Sequence, residues 1–137
     1  MVKKVVNRRT PELEEEMKNH RQNYAKWRAD NKKHKIGFYP IYNTFRDSYL
    51  SEISGGALKA YIYFGIHSGN ETGECWHSVE TMSDFFVVDA RTIKKWIAEL
   101  EDRGLIIRIQ KGFKRVANTF ILPYGRPDEG FNFNFDV

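Results

Sequence analysis

The segment from Ser78 to Leu122 constrains the fold more than any other part of the chain. Ser78 and Asp89 each precede a stretch with helical periodicity, and both side chains can accept hydrogen bonds from the free amides of a first helical turn. Gly104 follows the second stretch, where a glycine in the left-handed conformation commonly ends a helix. These residues therefore predict two consecutive helices joined by a short turn.

The second of these helices has an apolar face and a charged face. Ile93, Ile97 and Leu100 recur at spacings of four and three residues and form one apolar stripe. Successive residues turn by about 100° around a helix axis. The other side and its flanks therefore carry Arg91, Thr92, Lys94, Lys95, Ala98, Glu99 and Asp102. The cations lie in the first half and the acids in the second, which suits insertion of the N-terminal end into a DNA major groove.

Two apolar runs follow, Leu105–Gln110 and Val116–Leu122, both rich in β-branched and aromatic residues. They are separated by five residues that include Gly112, so they predict a β-hairpin. The cations of its tip, with no acid among them, are Lys111, Lys114 and Arg115. Residues 89–115 contain eight Lys or Arg and four Asp or Glu, and this local excess suits contact with DNA phosphates or the minor groove.

The aromatic residues of this segment carry separate expectations. Phe85 and Phe86 end the first helix and should be buried. Trp96 flanks the apolar stripe, and we expect it to pack against the hairpin or Phe120. Phe113 has only charged residues and glycine as neighbours at the hairpin tip. Either it inserts into the minor groove as an apolar wedge or it folds back against the hairpin.

An apolar helix and a short strand are expected ahead of Ser78. Residues 36–49 read as extended and then turn-like, because Gly37 and Pro40 interrupt any helix. Residues 57–66 are apolar around much of a helical circumference, which places this helix in the middle of the fold. The segment Glu74–Trp76 is predicted to be a strand that pairs with the hairpin.

Four segments, in their order and spacing, are similar to the N-terminal DNA-binding domains of plasmid replication initiators and of related phage and mobile-element proteins of Gram-positive bacteria. They are Phe38–Asp47, Ser54–Phe64, Gly73–Ser78 and Arg91–Ile106. The resemblance covers roughly residues 36–124 and implies an α+β winged helix-turn-helix fold, with a three-helix core, a small antiparallel β-hairpin wing and an added N-terminal helical extension. Initiators continue into further domains, whereas little follows Tyr124 here, so we expect a stand-alone DNA-binding protein.

The leading hypothesis is sequence-specific binding of double-stranded DNA in replication control, transcriptional regulation or conjugative transfer. Base edges would be read by Arg91, Thr92 and Lys95, since arginine can contact guanine through two hydrogen bonds. DNA phosphates or the minor groove would be contacted by Lys94, Lys111, Phe113, Lys114, Arg115, Lys32, Lys33 and Lys35. One reading helix has limited affinity, so we expect a homodimer or multimer on repeated sites.

Two other classes of function are weighed against DNA binding. A winged helix can instead be a protein-protein interaction module, which the acids Glu99, Glu101 and Asp102 favour. An enzyme finds little support, because the chain lacks a phosphate-binding glycine loop and a nucleophile elbow. His67, Cys75 and His77 lie close in sequence, but a structural zinc site needs four ligands. We therefore expect no metal, no cofactor and no catalytic residue.

The charge distribution divides the chain into three parts. The net charge is +4, which alone is mild support for a nucleic-acid partner. Residues 1–35 hold eleven Lys or Arg against five acids, whereas residues 36–137 hold eleven against thirteen. We predict a basic N-terminal helical extension at 1–35, the winged helix-turn-helix domain at 36–124 and an aromatic, acidic tail at 125–137. The tail could add a strand, bind a protein partner or be an ordinary chain end.

The N-terminal extension should contain one long helix. Thr10 is a suitable N-cap and Pro11 suits the first helical position. A heptad seam follows, with steps of four and three residues, at Leu13, Met17, His20, Tyr24, Trp27, Asn31 and His34. This helix either dimerises, packs on its own winged domain or lies on DNA. The basic end at Lys32, Lys33 and Lys35 is either a solvated helix end or a phosphate contact.

The cysteine content and the length of the apolar runs indicate a cellular compartment. Cys75 is the lone cysteine, which excludes an internal disulfide and is consistent with a reducing compartment. No apolar run approaches the roughly 20 residues needed to span a bilayer, and no secretory signal segment is present. We expect a cytoplasmic protein without a membrane partner.

Overall fold

The computed structural model describes residues 10–110 and 117–125. The chain divides into two units, one ending at Phe38 and the other beginning at Tyr39, and each is described by itself. The predicted basic arm at 1–9, the hairpin tip at 111–116 and most of the predicted tail, 126–137, lie outside the described residues. None of the helices within the described ranges is long and apolar enough to cross a membrane.

The first unit contains one long helix, α1 (Pro11–Lys33). The Thr10 hydroxyl accepts a hydrogen bond from the Leu13 N–H at 3.1 Å, and Pro11 occupies the first turn, as the sequence predicts. Acids in the first turn and lysines in the last turn complement the helix dipole. No residue of α1 is buried. Local signals therefore determine this helix.

The second unit is a winged helix-turn-helix domain of α+β class, as predicted. A π-helical turn (Arg46–Leu50) precedes the core. The elements that follow are α2 (Gly55–Ile66), β1 (Glu74–Cys75), α3 (Val79–Phe86), α4 (Ala90–Asp102), β2 (Ile106–Ile109) and β3 (Asn118–Ile121). The strands form an antiparallel sheet in the order β1-β3-β2. β2 and β3 form the hairpin wing, and β1 pairs with it as expected.

Three helix boundaries of the domain have the predicted local cause. Ser78 accepts a hydrogen bond from the Thr81 N–H at 3.1 Å and begins α3. Asp89 accepts one from the Thr92 N–H at 2.8 Å and begins α4. Gly104 has a φ of +71°, the left-handed conformation that ends a helix. The two motif helices therefore lie where short-range chemistry places them.

The core is built around α2. Tyr61 and Phe64 of α2 are fully buried, and the Tyr61 ring stacks on Phe45 with centroids 5.1 Å apart. The apolar stripe of α4 faces the same core, since Ile93, Ile97 and Leu100 are all buried. α4 packs against both α2 and α3. The predicted apolar face is therefore the packed face, and the opposite face of α4 is left to solvent.

Two expectations about aromatic residues are wrong. Phe85 is 64% exposed: it lies in the last turn of α3, where one side of its ring contacts the rings of Tyr63 and Phe86. Trp96 packs away from the hairpin, with its ring 5.4 Å from that of Phe86 and its indole over Gly56. A glycine on the facing helix leaves room for the indole, a long-range match that periodicity does not show.

Candidate nucleic-acid interface

The N-terminal half of α4 presents an exposed cationic face. Arg91, Lys94 and Lys95 are exposed, while Thr92 is half-buried on the flank. Arg91 and Lys94 form no hydrogen bond or ion pair with any residue of the described chain. Their charges are therefore free to contact an external anion. The geometry brings together the α4 residues that the sequence singled out, on the side opposite the buried stripe.

The Asp89 carboxylate organises the start of this face. One oxygen, Oδ1, accepts from the Thr92 hydroxyl at 2.7 Å and from the Thr92 N–H at 2.8 Å. These hydrogen bonds, with the nearby charge of Lys95, lower the pKa of Asp89. Because the Thr92 hydroxyl donates to Asp89, only its lone pairs and its methyl group remain for a ligand. Thr92 is therefore prepared to accept a hydrogen bond or to make an apolar contact.

Glu99 has a structural role that sequence reasoning missed. Its carboxylate accepts hydrogen bonds from the Ser54 N–H at 2.6 Å and from the Ser54 hydroxyl at 2.7 Å. It therefore joins α4 to the N-cap of α2 and is not simply an acid on a solvated flank. The sequence gives little indication of this contact, because the two residues are 45 positions apart and neither belongs to a recognisable motif.

Arg103 also serves the fold. Its Nη2 donates to the Ser48 carbonyl at 2.6 Å and to a Glu52 carboxylate oxygen at 2.7 Å, and its guanidinium lies 5.5 Å from the Tyr49 ring centre. These contacts join the end of α4 to the π-helical turn and the residues after it. Arg103 therefore contributes to the packing between elements and is not part of the exposed cationic face of α4.

Arg108 is a second cation whose side chain packs within the fold. It pairs with Thr119 across the β2–β3 ladder, and Thr119 pairs with Cys75 on the other side, so the three share one face of the sheet. Thr119 and Cys75 are fully buried, and Arg108 is half-buried beside them. Burial lowers the pKa of Arg108. The local cation excess counted from sequence therefore overstates the charge that faces outward.

The other predicted contact residues do not belong to α4. Lys111, Phe113, Lys114 and Arg115 lie outside the described residues, which end on one side of the tip at Gln110 and resume at Ala117. Lys32, Lys33 and Lys35 are exposed at the end of α1 in the first unit. Their roles remain predictions.

The histidines near Cys75 form a close pair of tilted rings. The rings of His67 and His77 lie 4.4 Å apart, and the Tyr63 hydroxyl is hydrogen-bonded to His77 Nδ1. Burial raises the pKa of the Cys75 thiol. Across residues 10–110 and 117–125, no group of three or more His, Cys, Asp or Glu side chains is arranged to hold a metal ion. What this cluster shows is ring packing between α2 and the start of α3.

Comparison with known proteins finds a helix-turn-helix family model that matches part of the second unit. Residues 51–106, from the approach to α2 through the start of β2, match the family model of a helix-turn-helix domain. No curated protein matches the chain. Two solved structures are similar at 16% identity: a Rep–DNA complex (TM-score 0.48, covering 68% of this chain and 80% of that one) and an N-terminal domain of a DNA-binding protein (TM-score 0.49, covering 68% and 79%).

Proposed function

Because residues 51–106 form a helix-turn-helix domain, a module that supports DNA binding, we propose that this protein reads a specific site in double-stranded DNA without catalysing a reaction. The observation that carries the proposal is the exposed cationic first half of α4, whose Arg91 and Lys94 have no partner within the described chain. A helix of this kind enters the major groove with its N-terminal residues against base edges.

Each side chain of the face has a distinct proposed role. Arg91 and Lys95 donate hydrogen bonds to base edges, and Arg91 suits guanine because its planar fork matches the O6 and N7 acceptors. Thr92, with its hydrogen committed to Asp89, accepts from a base amino group or contacts a thymine methyl. Lys94 lies on the flank and contacts phosphate, together with the cations of the hairpin tip and of the end of α1.

The segment resemblance supports a proposed biological role. The order of the four segments resembles domains of plasmid, phage and mobile-element proteins, so we place the DNA site in such an element. Binding there would act in replication control, transcriptional regulation or conjugative transfer. DNase footprinting on DNA surrounding the protein's own coding region would locate the site, and the position of that site relative to an origin or a promoter would separate these roles.

A titration by fluorescence anisotropy on the footprinted site tests the reading face. Arg91→Ala should weaken specific binding by about 1 to 3 kcal/mol and relax the preference at one base position. Lys94→Ala should weaken binding to all sequences alike and reduce the slope of log K against log salt by about 1. Lys59→Ala, which removes an exposed cation from α2, is the matched control. Full sequence selectivity in Arg91→Ala would refute the assignment.

The alternative is a protein-interaction module that does not read DNA. It was favoured by three acids on α4, but Glu99 is already engaged by Ser54, which leaves Glu101 and Asp102. Affinity capture from a nuclease-treated extract distinguishes the two. Stable capture of one protein, combined with an absence of DNA binding, would favour the alternative.

A further inference from the structure

The exposed seam of α1 is suited to packing against the same helix of a second copy of this chain. α1 runs for 23 residues without a buried side chain, and Tyr24 and Trp27 remain 59% and 58% exposed. Their rings lie 5.5 Å apart on one side of the helix. A helix gains most of its stability from packing an apolar face, so leaving two large aromatic side chains in water is unfavourable. This exposed face of α1 is suited to a partner helix that covers it along its whole length.

We propose that α1 forms a parallel, in-register, two-stranded coiled coil with α1 of a second copy of this chain. In heptad notation the a positions within α1 are Met17, Tyr24 and Asn31, and the d positions within α1 are Leu13, His20 and Trp27. An Asn at one a position pairs with its counterpart in a parallel dimer and specifies register at a cost in stability. The seam contains polar residues and no repeated Leu or Ile, so the association is of modest strength.

Charges beside the seam select the parallel orientation. In a parallel coil each g residue faces the e residue five positions later in the other helix. This rule places Glu16 against Arg21 of the second copy, a pair of opposite charge. By symmetry this pair occurs twice. The next g position of the seam, Asn23, is neutral, so no g–e pair within α1 is repulsive.

The antiparallel arrangement brings like charges together. In that orientation g residues face g residues and e residues face e residues. Glu16 would then lie against Asp30 of the second copy, and Arg21 against Arg28 of the second copy. Both pairs are repulsive. The charge pattern therefore argues for one orientation, and the two orientations predict opposite effects of the same substitution.

Sedimentation velocity of the full chain without DNA tests the proposal. Glu16→Arg and Arg21→Glu each convert two attractive contacts into repulsive ones, so each variant alone should dimerise about tenfold more weakly than the original chain. An equimolar mixture of the two restores both attractive contacts and should associate as tightly as the original. Controls that reverse charge on the outer side are Glu15→Arg and Lys18→Glu, which should leave association unchanged.

Three outcomes would overturn the proposal. They are a monomeric chain at all concentrations, tighter association of the single variants, as an antiparallel coil requires, and a mixture no tighter than its components. A second readout is covalent: Leu13→Cys, at a d position near the start of α1, should form a disulfide-linked dimer on mild oxidation only in the parallel register, while Cys75 stays buried. Since no DNA is present, these results do not depend on the proposed DNA binding.

Discussion

The Glu99 carboxylate on α4 and Ser54 at the start of α2 are joined by two hydrogen bonds, at 2.6 Å from the Ser54 N–H and at 2.7 Å from its hydroxyl. The Ser54 oxygen in turn accepts from the Ala57 N–H at 3.1 Å. One side chain of α4 therefore completes the N-cap of the central helix. This contact orients α4, and with it the cationic half that we assign to DNA reading.

Removing this carboxylate should destabilise the domain. Glu99→Ala leaves the Ser54 N–H without its acceptor, and we expect a loss of about 1 to 2 kcal/mol in the free energy of unfolding, measured by urea denaturation. Asp102→Ala removes an acid from the same helix that has no partner in the described chain, and it should change stability by less than about 0.5 kcal/mol. Equal effects of the two substitutions would show that the Ser54 contact contributes nothing.

Gly56 should not tolerate a side chain, because the Trp96 indole occupies that space. A Cβ on Gly56 would lie 2.0 Å from Trp96 Nε1. Gly56→Ala should cost about 1 to 3 kcal/mol in the free energy of unfolding, since Trp96 must move. Gly55→Ala, where no heavy atom lies within 4 Å of the added Cβ, should be neutral or stabilising. Near-ultraviolet circular dichroism would report the displaced indole.

Replacing Val87, in the turn between α3 and α4, with glycine should increase the stability of the domain. It has φ of 55° and ψ of 48°, a left-handed conformation that is costly for a β-branched residue, and it is 87% exposed. Val87→Gly should raise the free energy of unfolding by about 1 kcal/mol, because little packing is lost and the strain is relieved. Val88→Gly is the contrasting control, since Val88 packs against the core and its loss should destabilise. A destabilising Val87→Gly would contradict the strain argument.

Stability should fall as the pH drops below the ordinary value for histidine, about 6.5. Burial, with the nearby His77 ring, lowers the pKa of His67. The unfolded chain therefore binds a proton at His67 before the folded chain does, and stability is lost between that unfolded pKa and the lower folded one. His67→Gln should make the melting temperature less sensitive to pH in this window. An NMR titration in which the His67 ring protonates at or above its ordinary pKa would contradict the prediction.

The sequence predicts which side of α4 is exposed because the determinants of that orientation are local. The stripe of Ile93, Ile97 and Leu100 places Arg91 and Lys95 outward in any helix that buries that stripe. The structure adds information that no window of sequence contains. It shows that the Thr92 hydroxyl is committed to Asp89 and that some charged residues near the face are structural, as Glu99 and Arg103 are.

Short-range chemistry along the chain decides where the helices of this protein begin and end. Ser78 and Asp89 each cap a helix by accepting a hydrogen bond from the amide three residues later. The order of residues along the chain is therefore enough to predict these caps. Partners across the fold depend on how the elements pack. The Trp96 indole packs over Gly56, and the Glu99 carboxylate binds Ser54. In each pair the two residues are about forty positions apart, and nothing in the sequence between them indicates the contact. Only the packed arrangement of α2, α3 and α4 selects these partners, because several residues of similar chemistry compete for each position until the helices meet.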